Sequence, residues 1–104
     1  MSVLLEFAMF PTDKGESVSE YVGRILRAID ASGLPYQLTP MGTIVEADDL
    51  AQALALVDEA YRQLEPDCNR VYSSLKLDIR KGTGGRIKKK VRSVEEKIGK
   101  KLST

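Results

Sequence analysis

Residues 38–50 read LTPMGTIVEADDL, and this stretch folds the chain back on itself, crosses the middle of the sequence and then starts a helix. In Thr39-Pro40-Met41-Gly42, proline sits where a type I turn wants φ preset at about −65°, and glycine closes the turn. Two short strands, residues 36–39 and 43–47, are therefore expected to form a tight hairpin that carries Thr43 and Glu46. Asp48 and Asp49 follow at once, so negative charge gathers where strand meets helix. Asp49 with Gln52 reads as a capping pair, and Asp48 as a solvated turn residue.

On the N-terminal side, residues 3–10 (VLLEFAMF) are a mostly apolar run ended by Pro11, which favours a central strand. Period 2 puts Val3, Leu5, Phe7 and Met9 on one face and Leu4, Glu6, Ala8 and Phe10 on the other. A carboxylate in such a strand is costly to bury alone, so Glu6 faces water, a partner side chain or a ligand. The loop over residues 11–16 is polar and lacks the repeated glycines of a phosphate loop. Ser17 and Glu20 then have the spacing of a capping box, and Val18, Tyr21, Val22, Ile25, Leu26 and Ile29 recur at helical intervals. A first helix is expected over residues 18–32, stopped by Gly33 in the left-handed conformation.

On the C-terminal side, Leu50, Ala53, Leu54, Val57, Ala60, Tyr61 and Leu64 form the buried stripe of a second helix that Glu65-Pro66 ends. Residues 70–80 (RVYSSLKLDIR) alternate: Val71, Ser73, Leu75, Leu77 and Ile79 share one face, while Tyr72, Ser74, Lys76, Asp78 and Arg80 share the other. This is a half-covered strand whose polar face is rich in hydrogen-bonding groups. Gly82-Thr83-Gly84-Gly85 reads as a flexible joint. Over residues 86–102, Ile87, Val91, Val94, Ile98 and Leu102 line one stripe of a basic amphipathic helix, to be buried on its own sheet or on another subunit.

Composition sets the outer limits. A chain of 104 residues, 42% hydrophobic, makes one domain with one core. The net charge of +1 hides an asymmetry: residues 1–80 hold 7 Lys and Arg against 13 Asp and Glu, whereas residues 81–104 hold 9 against 2. Basic tail and acidic body should attract each other. A single cysteine, Cys68, and the absence of histidine remove an internal disulfide and the usual ligands of zinc and other transition metals. No apolar run approaches the roughly 18 residues of a membrane span, and the first strand lacks the flanks of a signal peptide, so a cytoplasmic protein with no membrane partner is expected.

The order β-α-β-β-α-β-α makes a ferredoxin-like sandwich: two split βαβ halves around a four-stranded antiparallel sheet, helices on one face, the other face open. The whole chain, residues 1–104, is one such domain, with residues 86–102 as its C-terminal basic helix. An open face of mixed polarity suits self-association, by sheet pairing or through the third helix.

These residues together resemble the small YkoF-like, thiamine-binding protein family. The likeness rests on Glu6 in the first strand, Ser17-Val18-Ser19 with Tyr21-Val22, and Met41-Gly42-Thr43 with Glu46-Ala47. It continues through Arg70-Val71-Tyr72 with Leu75-Lys76-Leu77-Asp78, and Lys90-Val91 with Ser93-Val94-Glu95. The resemblance implies a ferredoxin-like homodimer or homotetramer that binds thiamine or its hydroxymethylpyrimidine moiety without chemistry and requires no cofactor. Similar proteins carry further charged residues just after the last strand, where this chain has Lys81 and three glycines. Thiamine joins a flat aminopyrimidine to a cationic thiazolium, so its site needs acceptors, a donor, an apolar surface and negative charge. Glu6 and Glu46 are candidates to accept from the amino group or balance the cation, Thr43 and Ser74 to supply hydroxyls, and Met41 or Phe10 to contact the ring. Lys76 and Asp78 could instead serve a structural ion pair across the strands.

Three other classes fit less of the chain. RNA binding would use the same fold and the basic tail, but the last strand has only Tyr72 on its polar face and the body is acidic, so no nucleic-acid partner is expected. An enzyme would need an activated nucleophile, and Cys68 in Asp67-Cys68-Asn69 has acidic company. A structural or regulatory oligomer without a thiamine ligand fits the same polar sheet residues as a binding protein does.

Overall fold

The computed structural model describes residues 2–82 and 84–104. Along the chain lie β1 (Ser2–Pro11), α1 (Ser19–Ala31), β2 (Tyr36–Thr39), β3 (Gly42–Ala47), α2 (Leu50–Arg62), β4 (Val71–Arg80) and α3 (Arg86–Ile98). The four strands form one antiparallel sheet in the order β2-β3-β1-β4. This is the expected α+β ferredoxin-like arrangement, with a third helix added.

Pro40 and Met41 connect β2 to β3, which pair from Thr39↔Gly42 to Tyr36↔Val45. Neither residue has positive φ, so the turn is not one of the mirror-image types that strand twist favours. Its hold comes from Thr39, whose hydroxyl donates to the Gly42 carbonyl at 2.9 Å and accepts from the Met41 N–H at 3.3 Å. Gly42 is required by space as well as by the turn. A Cβ there would lie 2.9 Å from the carbonyl oxygen of Phe7, on the adjacent strand.

Alternation in β1 sets the core. Val3, Leu5, Phe7 and Met9 are buried with Val45 and Ala47 of β3, Ile25 and Ile29 of α1, and Ala53, Leu56 and Ala60 of α2. Helices α1 and α2 thus cover one face of the sheet. A side chain such as Leu5 or Ile29, fully enclosed here, contributes about 1.5–3 kcal/mol. Arg24 of α1 reaches both carboxylate oxygens of Asp67, at 2.8 and 3.1 Å, and so ties α1 to the turn after α2.

Local expectations meet the structure unevenly. The Asp49 carboxylate caps α2 by accepting from the Gln52 N–H at 2.8 Å, and the Gln52 side chain returns a bond to the Asp48 N–H at 2.7 Å. Gly33 follows α1 with φ of 75°. The Ser17–Glu20 capping box does not form. Val18 occupies the N-cap without a side-chain bond, and Glu20 instead pairs with Arg24 one turn along, at 3.3 Å. The third helix is one turn shorter than its apolar stripe. Gly99 takes a left-handed φ of 66° and ends it, after which the Glu95 carboxylate accepts from the Leu102 N–H at 2.6 Å. Of the glycine-rich joint, Thr83 lies outside the described residues, while Gly85 is the N-cap of α3.

The third helix takes one of its two expected places, on its own sheet, and so covers part of the face left open by α1 and α2. Helix α3 packs on it, against β1 and β3, through the half that holds Arg86, Ile87 and Val91. In its other half Val94 and Ile98 are exposed. The radius of gyration is 15.1 Å, against about 13 Å for a compact domain of this length.

Candidate ligand site

Period 2 separates the six residues marked from sequence. Thr43 lies on the helix-covered face with Val45 and Ala47, whereas Glu46, three positions on, points to the opposite face. Glu6 shares that opposite face, diagonal to Glu46, since Leu4 pairs with Glu46 and Glu6 with Ile44. Ser74 is on the same face of β4, opposite Ala8. Met41 stands at the tip of the hairpin, 89% exposed. The six therefore fall into groups, and Phe10 belongs to two of them.

The first group lines a cavity of about 320 Å³ at the hairpin end of the sandwich. Phe10, Met41 and Thr43 all border it, closed on the helix side by Val18 at the N-cap of α1 and by Val22 and Leu26 within it. Those residues read in sequence only as a core stripe. The lining is apolar apart from Thr39, Thr43 and the hairpin backbone, and it contains no charged side chain. Such a space suits a flat, weakly polar ring held by hydroxyls and peptide groups.

The second group lies on the sheet between β1 and β4, where α3 does not reach. Here the Phe10 and Tyr72 rings meet at 5.7 Å between centroids, tilted by 42°, and Ser74 neighbours Ala8. Glu6 and Lys76 approach to 3.8 Å, both largely in solvent. An exposed pair of this length contributes little to stability and is easily rearranged. Lys76 and Asp78 each have an ionic partner, as sequence allowed, but not each other.

Glu46 has a different role from its neighbours. Only 7% exposed, its carboxylate accepts from the Ser2 hydroxyl at 2.9 Å and from the backbone N–H of Arg86 at 2.8 Å. Burial pushes its pKa up, but the hydrogen bonds from Ser2 and from the backbone of Gly85, Ile87 and Arg86 more than offset this, leaving it below the usual glutamate value. A carboxylate at the first turn of a helix also meets the positive end of its dipole. Arg86, itself buried, donates to the carbonyls of Ser2 at 3.2 Å and Asp78 at 3.0 Å and pairs with the Asp78 carboxylate. Lys90 joins that carboxylate at 3.1 Å, and the two cations, Lys90 foremost, hold Asp78 below the usual aspartate range. Glu46, Ser2, Arg86 and Asp78 thus dock α3 on the sheet.

Sequence reading missed Arg86 as more than one of many cations in the tail. The available signal was its position: an arginine directly after Gly85, at a helix start where a cation is unfavourable unless it is paired. Cys68 is buried and free, and burial, then the nearby Asp67 charge, pushes its thiol pKa up, which is the opposite of activation. Among the described residues no group of three or more His, Cys, Asp or Glu is placed to hold a metal ion, and no helix is long and apolar enough to cross a membrane.

Fold and cavity together define a small single-domain α+β protein with space for a ring-sized ligand at one end of the sheet. The chain belongs to the thiamine-binding protein family, whose model matches residues 5–95. It is 37% identical over 95 residues to the UPF0045 protein Mb1933 of Mycobacterium bovis, covering 91% of this chain and 93% of the relative. The crystal structure of the hypothetical protein MJ1052 from Methanocaldococcus jannaschii superimposes with a TM-score of 0.81 at 35% identity, over 91% of this chain and 97% of that one. A Thermotoga maritima protein provisionally assigned to thiamine biosynthesis or salvage shares the fold, with a TM-score of 0.77 at 24% identity over 90% of this chain and 99% of that one.

Proposed function

We propose that this protein is a non-catalytic binder of thiamine or of its hydroxymethylpyrimidine moiety, and that the pyrimidine ring enters the cavity at the hairpin end. The observation that carries the reading is that Phe10, Met41 and Thr43 border one apolar cavity of about 320 Å³ in a chain of the thiamine-binding family. The ring would lie against Phe10 and Met41, with the Thr43 hydroxyl and hairpin peptide groups satisfying its nitrogens. Because the lining carries no charge, the cationic thiazolium would point outward into solvent or towards the open sheet face that bears Glu6 and Ser74. Glu46 serves the docking of α3 in this reading and not the ligand. The raised thiol pKa of Cys68 and the absence of histidine favour binding over catalysis.

The test is calorimetric titration with thiamine and, separately, with hydroxymethylpyrimidine. Thr43→Val and Met41→Ala should weaken both ligands by roughly tenfold, the effect of removing one neutral hydrogen bond or one apolar side chain from the ring's surroundings. Met41 is too exposed for its truncation to disturb the fold. Wild-type affinity in both variants, or no saturable binding by the parent protein, rejects the assignment.

We further propose a homodimer through the free edge of β4. This strand pairs only with β1, runs for ten residues, and leaves Leu75, Leu77 and Ile79 at 39%, 40% and 51% exposure. Leu54 and Tyr61 of α2 extend the same apolar strip. Long apolar edges of this kind favour pairing. Antiparallel pairing about a two-fold axis places residues of like parity opposite each other. Centring the axis on Lys76 or Asp78 would oppose like charges, whereas centring it on Leu77 sets Lys76 against the partner's Asp78 and Leu75 against the partner's Ile79. Leu77→Lys should then yield a folded monomer by light scattering. A Leu77→Lys protein with the parent's mass in solution would reject this edge.

A further inference from the structure

A second pocket, remote from the hairpin cavity, lies where β4 ends and α3 begins. It encloses about 470 Å³ and is bordered by Arg80, Lys81, Arg86, Lys89, Lys90 and Ser93. Five of these six side chains are cationic. The nearby carboxylate of Asp78 engages Arg86 and Lys90, and so neutralises only part of that charge. The side chains of Arg80 and Lys81 are exposed and have no hydrogen-bond or ion-pair partner among the described residues. The helix N-terminus itself is not the attraction, since Glu46 already occupies it.

Like charges crowded into a concavity repel one another, and a bound anion relieves that repulsion. We propose that this pocket binds a dianionic phosphoryl group, either free phosphate or the phosphate of a small ester. Buried and fully paired, Arg86 forms the wall. Arg80, Lys81, Lys89 and Lys90 approach from the rim, and the Ser93 hydroxyl adds a neutral donor. Charge-assisted bonds from several rim cations suit a compact, doubly charged tetrahedral anion better than a monoanion. A nucleic acid fits less well: the cations converge on one concave point, and residues 1–80 carry a net −6 that repels a chain of phosphates.

The site is independent of the hairpin cavity. Phe10 lies near the far end of β1, eight residues from Ser2, which pairs with Arg80. At about 3.3 Å per residue the separation is about 26 Å, so no small ligand spans both sites in one chain. Failure of thiamine to bind therefore leaves this inference untouched, and failure of phosphate leaves the thiamine reading untouched.

The experiment is an amide-resolved NMR titration of the whole protein with inorganic phosphate and, separately, with thiamine monophosphate, at constant ionic strength set by sodium chloride. Saturable shifts are expected at Lys81, Lys89, Lys90 and Ser93, with one site per chain. Arg80→Ala/Lys81→Ala and Lys89→Ala should each weaken binding by about tenfold or more, while the thermal midpoint of Arg80→Ala/Lys81→Ala stays at the parent value. Tighter binding of the ester, with the same amides shifted, identifies an organic phosphate as the ligand, and equal affinity identifies the free ion. Shifts that do not saturate, shifts reproduced by chloride alone, unchanged affinity in both variants, or binding only of a single-stranded oligonucleotide would each overturn the proposal.

Discussion

Replacing Glu46 by alanine should release the third helix before it unfolds the domain. The bonds to the carboxylate include those from Ser2 at 2.9 Å and from the Arg86 N–H at 2.8 Å, and it is 7% exposed. Hydrogen bonds to a charged group contribute about 1.5–3 kcal/mol each, so the pair stands at about 3–6 kcal/mol. Removing the carboxylate also removes the cost of burying it, which brings the expected loss to the lower end, about 3 kcal/mol. Glu46→Gln keeps a carbonyl acceptor but no charge, and should lose about half as much. Because the bonds from α3 to the sheet come from Arg86 and Lys90, in its first half, the loss should appear as local opening. Hydrogen exchange is the discriminating assay: amides of the first turns of α3 should exchange about 10²-fold faster in Glu46→Ala, while those of β1 and β3 change less. Urea unfolding gives the global loss, and thiamine titration of the same variant should match the parent. Unchanged α3 protection together with weakened thiamine binding would falsify the docking role and return Glu46 to the ligand.

Two further outcomes follow from the same geometry. Glu46 and Asp78 both have pKa values below their usual range in the fold, so each contributes stability that is complete above the unfolded value of about 4 and is lost as pH falls through the folded value. Exchange protection of α3 should accordingly begin to fall as pH drops towards the unfolded value of about 4 and go on falling below it, through the lowered folded values, and Glu46→Ala should flatten the change; a flat profile in the parent protein refutes the linkage. Gly42→Ala would set a Cβ 2.9 Å from the Phe7 carbonyl oxygen, a backbone atom unable to move alone. The hairpin should shift, at a cost of about 1–3 kcal/mol by chemical denaturation, and thiamine affinity should drop with it; a parent-like unfolding midpoint would show that β1 and β3 can separate without penalty.

The sequence by itself determined the order of elements and, in β1 and α1, the core; of the stripe read for α2, Leu50, Leu54 and Tyr61 are exposed, and Leu56, outside that stripe, is buried. Alternation in residues 3–10 and 70–80, helical spacing between them, and Pro40 with Gly42 are each local signals, and each specifies one strand, helix or turn without reference to the rest. The same period also shows that Thr43 and Glu46 must point to opposite faces of one strand, a consequence that polarity alone does not reveal. Where sequence reading erred, an alternative partner won. Glu20 met Arg24 one turn away instead of capping α1, and Gly99 stopped a helix whose apolar stripe continues. Only the tertiary structure decided what the carboxylates and cations do. Glu46 and Arg86 are forty residues apart along the chain, and their bond exists because β3 and the start of α3 arrive at one point on the sheet. The cavity beside Met41 and the pocket beside Arg80 are likewise spaces between elements. Their shape depends on how helices sit on a twisted sheet, which is settled by the packing of all the side chains together and not by any one stretch.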